Sequence, residues 1–110
     1  MKDLTKTEEI LLLTIWQLKD DAYGVRIRNR ISELIGKDFT YGNLYSALKQ
    51  LTKKKYVVKS REETLPVRRG WQRMYYSLSP DGKNALTRAC EVNEKIWSGV
   101  SKYVFKLNSR

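Results

Sequence analysis

Only four residues, Gly36-Lys37-Asp38-Phe39, separate two stretches that both carry the three- and four-residue spacing of an amphipathic helix. The upstream stretch opens at Tyr23-Gly24 and runs to about Ile35. It turns Ile27, Ile31, Leu34 and Ile35 inward and Arg26, Arg28 and Arg30 outward. Gly36 is expected to stop it as a left-handed cap. The downstream stretch opens at Thr40, a good N-cap, and Phe39 before it can staple onto Leu44. Leu44, Ala47, Leu48 and Leu51 then share one buried face. So short a connection forces two helices across a tight Gly-containing turn, the helix-turn-helix pattern. An ordinary helical hairpin gives the same spacing, so the decision rests on the rest of the chain.

The outer face of the second helix carries Asn43, Ser46, Lys49 and Lys53, with Tyr41 and Tyr45 along its flank. A small, hydrogen-bonding, basic face is what a helix entering the DNA major groove requires. Bulk would keep it out, and carboxylates would be repelled by phosphate. An ordinary solvated face is the alternative. The charge distribution favours the first reading. Of the net +10, residues 1–22 contribute −2, from three basic and five acidic side chains. Residues 23–79 contribute +9, from thirteen basic and four acidic, and residues 80–110 contribute +3. Basic charge concentrated in the middle of the chain points to a polyanion partner, either nucleic acid or an anionic membrane surface.

Other classes fall away on residue usage. At 110 residues the chain is one domain with room for a modest core and one appended element. It contains no histidine and one cysteine, Cys90, which disfavours a zinc site and general acid–base chemistry. No Gly-rich phosphate loop or nucleophile motif is present. Neither an enzyme nor a cofactor is expected. No apolar run reaches the length of a membrane span, and the single cysteine fits a reducing compartment, so a cytoplasmic location is expected.

The flanking elements complete a recognisable order. Thr5-Lys6-Thr7-Glu8 has the capping-box pattern and predicts a first helix from Lys6 to about Lys19. Its face is Ile10, Leu11, Ile15 and Leu18; Trp16 is assigned to the core, with a dimer contact as the alternative. After Lys53-Lys54-Lys55, Tyr56 to Glu62 and Trp71 to Leu78 read as strands, the latter alternating Met74, Tyr76 and Leu78 against Arg73, Tyr75 and Ser77. The loop from Glu63 to Gly70 carries Pro66, Arg68 and Arg69, so the hairpin reads as a wing reaching phosphates or a minor groove.

Ser79-Pro80 predicts a last helix to about Leu107, roughly 28 residues and about 42 Å long. Leu86, Cys90, Asn93, Trp97, Val100, Val104 and Leu107 form a heptad seam, widened by Ile96, Tyr103 and Phe105. Such a seam buries itself most simply against a second copy, making the chain a homodimer, and Asn93 within it would set the register. Gly99 costs this helix about 1 kcal/mol against alanine.

AYGVRI (Ala22–Ile27), GNLYSALKQL (Gly42–Leu51) and RRGWQRMYYSLSPDGKNAL (Arg68–Leu86), followed by the seam helix, resemble the PadR family of transcriptional regulators, in its short form with a single C-terminal helix. The tail EVNEKIWSG (Glu91–Gly99) resembles short members encoded beside ABC-type permease genes. The fold implied is α+β and mostly α: a winged helix-turn-helix of three helices and a two-stranded wing over residues 1–79, with a dimerisation helix over 80–110. The resemblance implies a DNA-binding regulator, usually a repressor, and by position it sets Tyr23 and Gly24 against the DNA backbone. Gly42, Asn43, Tyr45, Ser46 and Lys49 fall on its recognition helix, and Arg68, Arg69 and Arg73 on its wing. The chain departs from the family at Lys55, where glycine is usual, at Ser46, where proline is common, and in the wing, which reads GWQRMYY. A strained turn out of the recognition helix is therefore expected.

The expected partners are double-stranded DNA and a second copy of the chain, and no membrane. Thr40 and Tyr41 open the reading helix. Asn43 suits adenine and Lys49 suits guanine. Arg26, Arg28, Lys53, Lys54, Arg61, Arg68 and Arg69 are candidate phosphate contacts. Some members of the family bind flat aromatic compounds between interface tryptophans, so a planar aromatic effector at Trp97, with Asn93 and Trp16, stands beside the reading of Trp97 as dimer core. Cys90 on the seam is read as packing rather than as a redox switch. A winged helix that binds a protein, or DNA without sequence preference, remains the alternative.

Overall fold

The structure is a computed structural model and describes residues 4–61 and 73–99. Arg68, Arg69, Trp71, Val100, Val104 and Leu107 lie outside the described residues. The elements follow in the order α1 (Lys6–Leu18), α2 (Gly24–Ile35), α3 (Tyr41–Lys53), β1 (Val57–Arg61), β2 (Met74–Leu78) and α4 (Pro80–Trp97), with a short 3-10 turn, Lys19–Asp21, after α1. This is the mostly helical, winged architecture that the sequence predicts.

Three of the four helices, α1, α3 and α4, begin at a side-chain cap, whereas α2 starts after Tyr23 without one. Thr5 and Glu8 close a capping box, with Glu8 N–H donating to Thr5 Oγ1 at 3.1 Å and Thr5 N–H to Glu8 Oε1 at 2.9 Å. Thr40 Oγ1 accepts from the Asn43 amide and Ser79 Oγ from the Gly82 amide. Gly36 ends α2 in the left-handed region at φ 72°. The turn beyond it is held by α2 itself. Ser32 Oγ accepts from the Phe39 amide at 3.0 Å, and Arg28 Nε donates to the Phe39 carbonyl at 2.9 Å.

The core lies where α1, α2 and α3 meet the inner face of the sheet. Leu11, Leu12, Ile15, Ile27, Ile31, Leu44, Leu48 and Leu51 are fully buried, with Phe39, Tyr56, Val57, Tyr76 and Leu78 closing around them. Phe39 and Leu44 enter the same core, as a staple requires. The strands pair antiparallel from Val57 opposite Leu78 to Arg61 opposite Met74. The Tyr76 amide also donates to the Ala22 carbonyl at 2.9 Å, and Tyr23 bridges to Tyr75, so the approach to α2 is stitched to β2.

Three expectations are corrected. Leu34 is exposed, because the apolar stripe of α2 that meets α1 and α3 is narrower than the 27–31–34–35 spacing implies. Trp16 is not core: 48 % of it is exposed, with the ammonium groups of Lys19 and Lys83 over its ring at 5.4 and 5.6 Å. Long cationic side chains cover an aromatic face well enough to leave it at the surface. The last helix is also shorter than expected. It spans 18 residues, about 27 Å. Ser98 leaves the helical region and Gly99 turns left-handed at φ 78°, so the poorest helix former in the stretch marks its end.

Candidate nucleic-acid interface

The outer face of α3 follows from its inner one. With Leu44, Leu48 and Leu51 buried, helical spacing leaves Gly42, Asn43, Tyr45, Ser46, Lys49 and Lys53 at the surface. No acidic side chain stands on α3. Asn43, Ser46, Lys49 and Lys53 are tied by their side chains to no other described residue, so their polar groups are free for a ligand.

Aromatic rings and cations border this face on the side of α2 and the wing. Tyr41 and Tyr45 stack with centroids 6.3 Å apart, and the Arg28 guanidinium lies 5.3 Å from the Tyr41 ring. Tyr23 and Tyr75 meet edge to face at 5.5 Å, and Arg73 covers Tyr23 at 4.4 Å. The Tyr45 hydroxyl reaches over the start of α2. A β-carbon at Gly24 would stand 2.4 Å from it. Gly24 has no positive φ, and its missing β-carbon leaves room for the tip of the Tyr45 side chain. Sequence reasoning left Tyr75 out of the site. Its alternation with Arg73 and Ser77 placed it on the outer face of the strand, but nothing local paired it with Tyr23.

The basic residues divide by what they already hold. Arg61 and Arg73 are exposed at the base of the wing. Arg26 makes a half-exposed pair with Asp21, Nε to Oδ2 at 2.8 Å, which water and phosphate can compete for at little cost. Arg28 is committed to the turn through Phe39, Asp38 and Asn29. Lys54, expected at phosphate, is turned inward. Its ammonium donates to both oxygens of Glu8, at 2.7 and 2.9 Å, and its side chain is only 16 % exposed. Burial raises the pKa of the Glu8 carboxyl, but hydrogen bonds from Lys54 and Thr5 and the charge of Lys54 outweigh it and hold the group below its ordinary value.

Away from this face, Leu86 and Asn93 are part-buried on α4, while Cys90 and Trp97 are exposed, Trp97 by 53 %. Val92 and Ile96 are exposed beside them. Asn93 Nδ2 donates to Glu9 Oε1 on α1. A cleft of about 270 Å³ between α1 and α4 is lined by Leu4, Glu9, Ala85, Arg88, Ala89, Val92 and Asn93. Of the three residues expected at an effector site it brings in Asn93 alone; Trp16 and Trp97 do not line it. Glu94 accepts from the Cys90 thiol at 3.3 Å and its charge lies nearby, which together push the thiol up, away from the reactive thiolate. Among the described residues, no group of three or more His, Cys, Asp or Glu could hold a metal ion, and no helix is long and apolar enough to cross a membrane.

Residues 12–88 match the model of the transcriptional regulator PadR-like family. No curated protein sequence matches the chain. Among solved structures, the chain is similar to a PadR family transcription regulator from Clostridium difficile, with 26 % identity over 93 % of this chain and 98 % of that one and a TM-score of 0.61. It is similar also to a transcriptional regulator from Clostridium thermocellum, with 25 % identity, 88 % and 91 % coverage and a TM-score of 0.68. RosR of H. salinarum shares the fold at 24 % identity, 96 % and 91 % coverage and a TM-score of 0.70. With the family model spanning most of the chain, and with the helix-turn-helix, the paired strands and the carboxylate-free outer face of α3 all in place, this protein belongs to the PadR-like family of transcriptional regulators, DNA-binding proteins rather than enzymes.

Proposed function

We propose that the protein is a cytoplasmic, homodimeric repressor that binds a pseudopalindromic operator, placing α3 of each copy in the major groove and each wing against the adjoining backbone. The observation that carries this reading is the exposed face of α3, where Asn43, Ser46, Lys49 and Lys53 are free and no carboxylate intervenes. Asn43 and Lys49 read base edges, and Thr40, Tyr41, Gly42 and Tyr45 fit the helix to the groove. Arg26, Lys53, Arg61, Arg73 and the wing arginines Arg68 and Arg69 neutralise phosphates. Dimerisation through α4 and the residues after it is supported by the apolar side chains of Val92, Ile96 and Trp97, which a single copy leaves exposed. Two-fold symmetry then spaces the half-sites by about one helical turn, near 10 bp.

The test is fluorescence anisotropy against DNA from upstream of the protein's own gene, with scrambled DNA beside it, from about 50 to 200 mM salt. A preference of about a thousandfold for the upstream DNA is expected. Equal affinity for both would leave a non-specific DNA binder, and no binding would favour a protein partner.

The exposure of Trp97 favours one addition, a planar aromatic effector stacked on its indole. Such a compound should quench tryptophan fluorescence, and Trp97→Ala should abolish the quenching while the dimer persists.

A further inference from the structure

Two consecutive carboxylates on the first turn of α1 hold two different helices. Glu8, 5 % exposed, accepts both hydrogen bonds from Lys54, the residue that caps the C-terminus of α3. Glu9 accepts from Asn93 in the last third of α4. Successive residues on a helix point about 100° apart, so one turn of α1 faces α3 on one side and α4 on the other. The two grips share a mechanical base. Glu8 Oε1 also accepts the Thr5 amide that starts the helix, so a tilt of the first turn moves the cap and the ion pair together.

The far end of the Glu8 link is a rigid one. The Lys54 amide donates to the Gln50 carbonyl, the Lys55 amide to Thr52 and the Tyr56 amide to Leu51, a closed turn in which any displacement of Lys54 is carried back into α3. We propose that Glu8 and Glu9 are positioning residues that join the C-terminal helix to the DNA-reading helix, so that whatever displaces α4 against α1 re-aims α3. This rests on the DNA-reading role given to α3 above. Coupling of this kind is testable where a contact can be cut at either end, and here each end carries a hydrogen-bonded pair, Lys54 with Glu8 and Asn93 with Glu9.

The experiment cuts the α4 end. Glu9→Ala removes the acceptor for Asn93, whereas Glu9→Gln retains a carbonyl oxygen. Hydrogen exchange in the DNA-free protein is expected to speed up about fivefold at the Lys54, Lys55 and Tyr56 amides in Glu9→Ala. The Gly36 amide at the end of α2 should stay unchanged, and Glu9→Gln should restore the slow rates. In a Glu8→Gln, Lys54→Met background, which keeps the capping box, Glu9→Ala should add nothing. Unchanged exchange at the end of α3, or a uniform rise that includes Gly36, overturns the link, and the comparison of Glu9→Ala with Glu9→Gln decides this even if the double variant fails to fold. Operator affinity should fall about fivefold in Glu9→Ala with affinity for scrambled DNA unchanged; faster exchange with full operator affinity overturns the positioning role. If the wild-type protein binds operator and scrambled DNA alike, the regulator reading fails instead, and the exchange result decides the link on its own.

Discussion

The α-carbon of Gly82 lies so close to the backbone of Tyr56 that a β-carbon there would stand 2.0 Å from the Tyr56 carbonyl oxygen and 2.9 Å from its carbonyl carbon. The contact docks the first turn of α4 onto the chain between α3 and β1. Around it, the Ser79 amide donates to the Tyr56 carbonyl at 3.0 Å and Ser79 Oγ donates to the Lys55 carbonyl at 2.7 Å. Backbone, unlike the tip of a side chain, cannot step aside. Gly82→Ala gains about 1 kcal/mol of helix propensity but must push α4 away from the Tyr56 backbone. It is expected to destabilise by about 2 kcal/mol, read as a lowered midpoint in urea.

The opposite outcome is expected 27 residues earlier in the chain. Lys55 occupies the left-handed position, φ 66°, of the motif that closes α3. A side chain there costs about 1–2 kcal/mol, and glycine gives back part of this through its freer unfolded chain. Lys55→Gly is expected to stabilise by about 0.5–1 kcal/mol, as a higher urea midpoint at constant slope. The carbonyl used by Ser79 is unaffected.

These two positions also show what was legible in the sequence. The starts of α1, α3 and α4 follow from local chemistry, since a cap bonds within three residues of itself, whereas the strain at Lys55 was legible only through the family resemblance, which has glycine at that position. Gly82 and Gly24 carry no such sign, because what they accommodate, Tyr56 and Tyr45, arrives from elsewhere in the chain. The same holds for Lys54. Its run of three lysines reads as a surface cluster, and only a partner 46 residues away turns the middle one inward. Trp16 read as core because indole is apolar, but two lysines brought over its ring by α4 and the turn after α1 let it stay outside.

Protonating Glu8 should matter more than protonating any exposed carboxylate. Its folded pKa lies below the ordinary value of 4.5, so the pair with Lys54 contributes stability that is present above that value and lost as the pH falls through the folded one. Wild-type stability should therefore fall steeply below about pH 4.5, whereas Glu8→Gln should start lower and flatten that acid limb. Lys54→Met at neutral pH leaves a buried charge unpaired and is expected to cost about 3 kcal/mol. Melting temperatures from pH 3 to 7 for the three proteins check both statements. A parallel acid limb in Glu8→Gln would count against the pair.

Lys49 and Lys53 share the outer face of α3 but stand one turn apart, and they should fail differently when truncated. Lys49, in the middle of the exposed face, is placed for a base edge. Lys49→Ala should cost about 1–3 kcal/mol on the operator, relax the preference at one base pair in each half-site, and leave affinity for scrambled DNA nearly intact. Lys53, at the end of the helix, is placed for phosphate. Lys53→Ala should weaken operator and scrambled DNA alike and reduce the slope of log affinity against log salt by about 1 for each lysine removed. Lys54→Met is the internal control: with its ammonium already on Glu8, it should leave the salt slope unchanged. A salt slope reduced equally by Lys53→Ala and Lys54→Met would show that Lys54 leaves Glu8 for phosphate when DNA is bound, and the ion pair would then be a feature of the free protein alone.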